Sequence, residues 1–148
     1  MVNRRAAIAL SREEVSAYLA SAKTAVLVTI GPDGVGDPVG MWFVMDGEDL
    51  VMRTYAKSQK VRNVERDPRV SVLVEDGETY ETLRGVQLTG HVSLSRDVDA
   101  VLDVVAGLAA KYDGVTDLDR ESLRSYSAKQ AVLRLRPEQV VSWDHRKA

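Results

Sequence analysis

Ala25-Val26-Leu27-Val28-Thr29-Ile30 runs directly into Gly31-Pro32-Asp33-Gly34. A compact apolar run rich in β-branched residues, stopped by turn chemistry, reads as a strand. The pattern recurs at once. Pro38 to Met45 is a second apolar run, closed by Asp46-Gly47, and Leu50 to Tyr55 is a third. Three short runs separated by Pro-Asp-Gly and Asp-Gly turns predict an antiparallel meander.

Outward from this stretch the chain mixes strands with helices. Upstream, Ser11-Arg12-Glu13-Glu14 is a capping box, and Val15, Tyr18, Leu19 and Ala22 follow at helical spacing, which predicts a helix over 11–22. Downstream, Val61 and Val64 sit three apart between Ser58, a candidate N-cap, and Asp67-Pro68, a stop. That predicts a short helix over 58–66. Val70, Val72 and Val74 alternate as a fourth strand. Val86 to Leu94 alternate as a fifth, with Gly90 at a bulge or close backbone approach. Val98, Val101, Leu102, Val105, Leu108, Ala109 and Tyr112 form one helical stripe. A weaker helix is expected over 119–128. Ala131 to Arg136 forms a sixth strand, and Pro137 bends the chain into a last segment, 140–143. Such an order is α+β, and short strands on a small chain close into a barrel to remove their edges.

The 148 residues are 45% hydrophobic and 28% charged, the make-up of one globular domain spanning 1–148. A net charge of −2 argues against a nucleic-acid partner. No run reaches the ~20 apolar residues of a membrane span, and the start lacks a secretory pattern, so a cytoplasmic protein is expected. With no cysteine, thiol catalysis, Cys-ligated zinc and iron–sulfur clusters are excluded. His91 and His145 are the two histidines, far apart, and neither a zinc-protease nor a hydrolase-elbow motif is present. No metal site is expected. An enzyme with so few reactive side chains borrows its chemistry from a bound cofactor.

The segment that carries chemistry is Arg53-Thr54-Tyr55-Ala56-Lys57-Ser58-Gln59-Lys60-Val61-Arg62-Asn63. Acids belong in the first turn of a helix, at the positive end of its dipole. Here Lys57 and Lys60 flank the start and no acid precedes Glu65. Free backbone N–H groups, the Ser58 hydroxyl and two ammonium groups make a phosphate cradle; the alternative is a solvated helix start with mobile lysines.

The stretch Lys57 to Val70 resembles the signature of the pyridoxamine-phosphate-oxidase-like split β-barrel family, and more narrowly its branch that uses the deazaflavin coenzyme F420. Lys60, Asn63 and Asp67-Pro68-Arg69 carry the spacing, and Val28-Thr29-Ile30-Gly31-Pro32-Asp33-Gly34, Pro38 to Phe43 and Gly85 to Gly90 extend the resemblance over most of the chain. The resemblance implies a six-stranded, mostly antiparallel split β-barrel with flanking helices. It implies a homodimer with two cofactor sites at its interface, and hydride transfer to an electron-poor small molecule. Lys60 matches the family's phosphate-binding lysine. Lys57, Ser58 and Gln59 lie beside it, although no arginine stands at position 58. Thr54 and Tyr55 match the strand end bordering the phosphate. Val39, Gly40, Met41 and Trp42 match the strand that lines the flavin-like ring, Asn63 belongs to the signature, and Trp143 resembles a C-terminal tryptophan that closes the site. FMN is the alternative cofactor, disfavoured because the second strand lacks an Arg-x-x-Leu-Leu-Lys-like run. A non-catalytic flavin, deazaflavin or haem binder is the other alternative. Gln87, Thr89, His91, Arg134 and Arg136 are read as solvated strand faces. The polyanionic tail of coenzyme F420 would need a basic exit, for which Arg4, Arg5, Lys57, Arg62 and Arg66 are the candidates.

Overall fold

A computed structural model describes residues 3–148. Helices α1 (Arg4–Ile8) and α2 (Arg12–Ser21) precede β1 (Ala25–Ile30), β2 (Gly36–Met41), β3 (Val44–Asp46) and β4 (Asp49–Tyr55). Then come α3 (Gln59–Arg66), β5 (Arg69–Asp76), β6 (Arg84–Ser95), α4 (Val98–Leu108), α5 (Arg124–Ser127), β7 (Gln130–Leu135) and β8 (Gln139–Asp144). The capping box opens α2 as expected, with Ser11 Oγ accepting from the Glu14 N–H and Glu14 accepting from the Ser11 N–H. The stripe that ends in Tyr112 continues beyond α4 as a π-helical turn, Ala109–Asp113. The helix expected over 119–128 is broken into a 3₁₀ turn and the single turn of α5.

All strand pairs are antiparallel, in the order β2-β1-β5-β6-β7-β4-β3, with β8 added to β6. There are eight strands among the described residues rather than six. The last segment pairs as β8, and the run Pro38–Met45 is two strands, not one. Its halves pair in different places: β2 with β1 only, β3 with β4 only. The expected meander is therefore two separate hairpins. The β3–β4 hairpin closes through Gly47 at φ +60°, the left-handed conformation that a two-residue turn needs at its first position. Because β2 and β3 stand at opposite ends of the strand order, the stretch Gly36–Asp46 brings those ends together. That makes the architecture a split barrel.

Strand β6 is the long element that joins the two halves. Through Arg84–Thr89 it pairs with β8, and from Val92 it pairs with β7. Gly90 sits at the changeover. A Cβ there would lie 3.1 Å from the Arg136 carbonyl and 3.2 Å from the Glu138 nitrogen, so the close approach expected of this glycine is real. The core lies in two parts. Leu27, Phe43, Leu50, Met52, Leu88 and Leu133 fill the barrel, while Val51 and Val132 turn outward beneath Val101, Val105 and Leu108 of α4. Strand β4 is buried on both faces, which is why it reads as a continuous apolar run.

Candidate functional site

Helix α3 begins where β4 ends. The Ser58 N–H donates to the Tyr55 carbonyl at 3.0 Å, making the turn between them. Ser58 is the N-cap, yet its hydroxyl makes no cap hydrogen bond and lies 3.4 Å from the Thr54 hydroxyl. The first turn of α3 contains no acidic residue. The opening of this helix therefore presents backbone N–H donors with no side-chain acceptor of their own, beside the two lysines. Thr54 is buried, Ser58 and Lys60 are half-buried, and Tyr55, Lys57 and Gln59 are exposed.

Asn63 belongs to a different layer. Its side chain is fully buried, and its amide nitrogen donates to Thr29 Oγ1 at 2.9 Å and Asp37 Oδ2 at 3.3 Å. Its amide oxygen accepts from Gln59 at 2.8 Å and Arg66 at 3.3 Å. With both donors and both lone pairs occupied, Asn63 has nothing left for a ligand; it is corrected from a binding residue to the anchor of α3 on the first hairpin. The same contacts bring β2 to the start of α3. From Asp37, the strand carries Val39, Gly40 and Met41 toward Trp42, about 16 Å away at the rise of extended chain.

Trp42 is 56% exposed and lies where β2 gives way to β3. Its indole stacks on the Tyr112 ring, with centroids 4.2 Å apart and planes 8° from parallel. Phe43 beside it is fully buried, and its backbone is held by side chains. The Phe43 N–H donates to the Tyr112 hydroxyl at 3.2 Å, and its carbonyl accepts from Lys111 Nζ at 3.1 Å. Lys111 Nζ also stands 3.7 Å from the centre of the Phe43 ring. Burial, with Lys23 as a second cation nearby, pushes the Lys111 amine down to about 8. Tyr112 and Lys111 were not foreseeable as site residues, since Tyr112 completes an apolar helical stripe and nothing local links it to Trp42.

Trp143 is placed elsewhere. Its ring lies against Gly85, where an added Cβ would come within 2.6 Å of it, and its Nε1 donates to Glu75 at 3.1 Å. Glu75 is near the end of β5, whereas α3 leads into the start of that strand at Arg69. Within one chain Trp143 thus does not join the 54–60 segment. The basic residues also divide. Arg66 is committed to the Ile30 carbonyl and Asn63, and Arg4 and Arg5 lie on α1, which packs against β8 and the C-terminal turn. Of that group, Lys57 and Arg62 are left beside Lys60, on α3 and its approach. His91 pairs with Glu138 on an exposed face, and Arg134 and Arg136 both bond the buried carboxylate of Asp49, so these two arginines tie strands rather than stand free. The Arg136 and Arg134 hydrogen bonds hold that carboxyl below the ordinary aspartate range.

A cavity of about 890 Å³, lined in part by Arg5 but by none of residues 54–60, lies between α1 and α2 on one side and the β3–β4 turn and β8 on the other. The described residues contain no cluster that would hold a metal ion, and no helix long and apolar enough to cross a membrane.

The comparisons fit a split barrel with a cation-flanked helix start after its fourth strand. The chain belongs to the pyridoxamine 5'-phosphate oxidase family, which it matches over residues 11–144. It is 38% identical to a conserved hypothetical protein, Rv2991, from Mycobacterium tuberculosis, with a TM-score of 0.91, covering 97% of this chain and 90% of that one. An F420 reductase is 26% identical with a TM-score of 0.67, over 84% of this chain and 94% of that one. The haem storage protein HutZ from Vibrio cholerae, 21% identical with a TM-score of 0.65 over 88% and 92% of the two chains, shares the fold. A search of curated proteins finds no match.

Proposed function

We propose that this chain is a coenzyme F420-dependent oxidoreductase that passes a hydride between the deazaflavin and an electron-poor small molecule such as an enone, quinone or tetrapyrrole. The observation that carries the reading is the start of α3: an uncapped first turn with no acid, two ammonium groups and a serine hydroxyl that makes no cap hydrogen bond. Lys60 and Lys57 neutralise the phosphate, and the first N–H groups of α3 and the Ser58 hydroxyl donate to its oxygens. Thr54 and Tyr55 border it. The ring lies along Val39, Gly40 and Met41 toward Trp42, since that strand leads away from the phosphate end. When bound, the deazaflavin supplies hydride transfer at its C5 carbon. The protein's part is to orient the ring and exclude water from one face. No side chain beside the segment is an obvious acid, so solvent delivers the proton. The likeness to an F420 reductase supports this cofactor over FMN, which shares the ring and the ribityl phosphate.

The protein works as a cytoplasmic homodimer. Trp42, Tyr55, Val140 and Val141 are exposed apolar side chains that a dimer interface would cover. The test of the cofactor is a fluorescence titration with coenzyme F420 beside FMN at low and high salt. Tighter binding of coenzyme F420 is expected. FMN binding more tightly at both salt concentrations overturns the deazaflavin reading.

A further inference from the structure

We infer that the π-helical turn Ala109–Asp113 is a positioning element for the ring-binding strand, with Tyr112 holding Trp42 so that its open indole face meets a flat conjugated ring; this rests on the function proposed above. Three observations converge on it. First, a π-helical turn replaces the ordinary end of α4, a geometry that is rare and concentrates at functional sites. The turn moves Lys111 and Tyr112 off the regular path of the helix. Second, both side chains reach the β2–β3 bend, Tyr112 at Trp42 and Phe43 and Lys111 at Phe43. The Tyr112 ring stacks on Trp42, and its hydroxyl accepts from the Phe43 N–H and donates to the Lys23 carbonyl at 2.5 Å. Lys111 takes the Phe43 carbonyl. The bend thus has no strand partner of its own; its backbone is fixed from outside the sheet by this turn. Third, Trp42 remains 56% exposed although one of its faces is covered. An indole that is stacked on one side and open on the other is a rigid platform, ordered before any ligand arrives.

Lys111 is half-buried, with two backbone carbonyls and no carboxylate partner among the described residues. The cluster also brings Lys23 close, and its ammonium lies 5.0 Å from the Tyr112 centroid. An ammonium placed there without a counterion is costly, and local costs of this kind collect at sites that have work to do.

The experiment separates ring from phosphate. Three ligands are titrated into Tyr112→Leu, Lys60→Ala and the unaltered protein: coenzyme F420, its phosphate-free ribityl-deazaflavin core, and riboflavin. Acrylamide quenching of Trp42 emission, taken as the difference from Trp42→Phe, reports the platform with no ligand present. Tyr112→Leu is expected to raise Trp42 quenching in the free protein. It should also weaken all three ring ligands by about the same three- to tenfold, the scale of an aromatic pair. Lys60→Ala should weaken coenzyme F420 and leave the two phosphate-free ligands unchanged. Inorganic phosphate should compete with coenzyme F420 equally well in Tyr112→Leu and the unaltered protein, which a general loss of structure would not allow. Tyr112→Phe, which keeps the stacked ring and loses only the hydroxyl's bonds, covers the case in which the leucine variant fails to fold; its quenching should stay closer to that of the unaltered protein than to full exposure. Unchanged Trp42 quenching in Tyr112→Leu overturns the inference, and so does unchanged ring binding. If riboflavin responds as described while coenzyme F420 does not bind, the deazaflavin assignment fails and the platform stands.

Discussion

Asn63 of α3 donates to the Thr29 hydroxyl of β1 across 2.9 Å of fully buried interior. The first turn of α3 has no side-chain cap and no acid, so the helix takes its position from its other contacts. This amide sets it, bonding Thr29, Asp37, Gln59 and Arg66 from one side chain. Replacing Asn63 with Leu strands the Thr29 hydroxyl and the Asp37 carboxylate. The expected loss is roughly 1–3 kcal/mol of folding stability, measured by urea denaturation. No change in the midpoint would remove Asn63 from this role.

Lys60→Ala should act in the opposite way. Folding should change little, because taking a cation from the positive end of a helix relieves repulsion. Cofactor binding should weaken by roughly 1.5–3 kcal/mol, the scale of a charge-assisted hydrogen bond. Titration calorimetry on the variant decides it, and an unaltered dissociation constant counts against the phosphate cradle.

Gly85 lies flat under Trp143, and a Cβ would be 2.6 Å from the indole. Gly85→Ala should displace that ring and cost about 1–3 kcal/mol, the usual range for overpacking. The change should appear in Trp143 emission and near-ultraviolet circular dichroism. Trp42 should be unaffected, being on another element.

Stability should rise with pH across the alkaline range on account of Lys111. Its amine is pushed down to about 8 from the ordinary lysine value of 10.5, chiefly by burial. Between these values the folded chain holds fewer protons at this site than the unfolded chain, so unfolding free energy climbs as pH rises from about 8 to about 10.5. Lys111→Met should flatten that part of the profile. A variant that keeps the same slope in thermal or urea melts between pH 8 and 10 would show that another group is responsible.

A homodimer should scatter light at twice the chain mass at micromolar concentration, and its interface should bury more than about 1,000 Å² in total. Charged substitutions at Val140 or Val141 should then shift the equilibrium toward monomer. A monomer in the unaltered protein at that concentration would end the shared-site reading.

Much of this could be read along the chain because it rests on neighbours in sequence. The capping box of α2, the turn at Gly47, the stop at Asp67-Pro68 and the acid-free start of α3 are all local chemistry, and so is the spacing that led to the family. The choice of partners was not local. Pro38–Met45 reads as one apolar run because both of its halves are extended, yet β2 and β3 pair with strands at opposite ends of the order, and only closure of the barrel divides them. Asn63 looks like a polar residue available to a ligand until packing places Thr29 and Asp37 against it. Trp42 and Tyr112 are seventy residues apart, and a helical stripe cannot say which strand it will cover. Periodicity determines which face of an element is apolar; the pairing of those faces, and the buried hydrogen bonds that follow, depend on how the whole sheet closes.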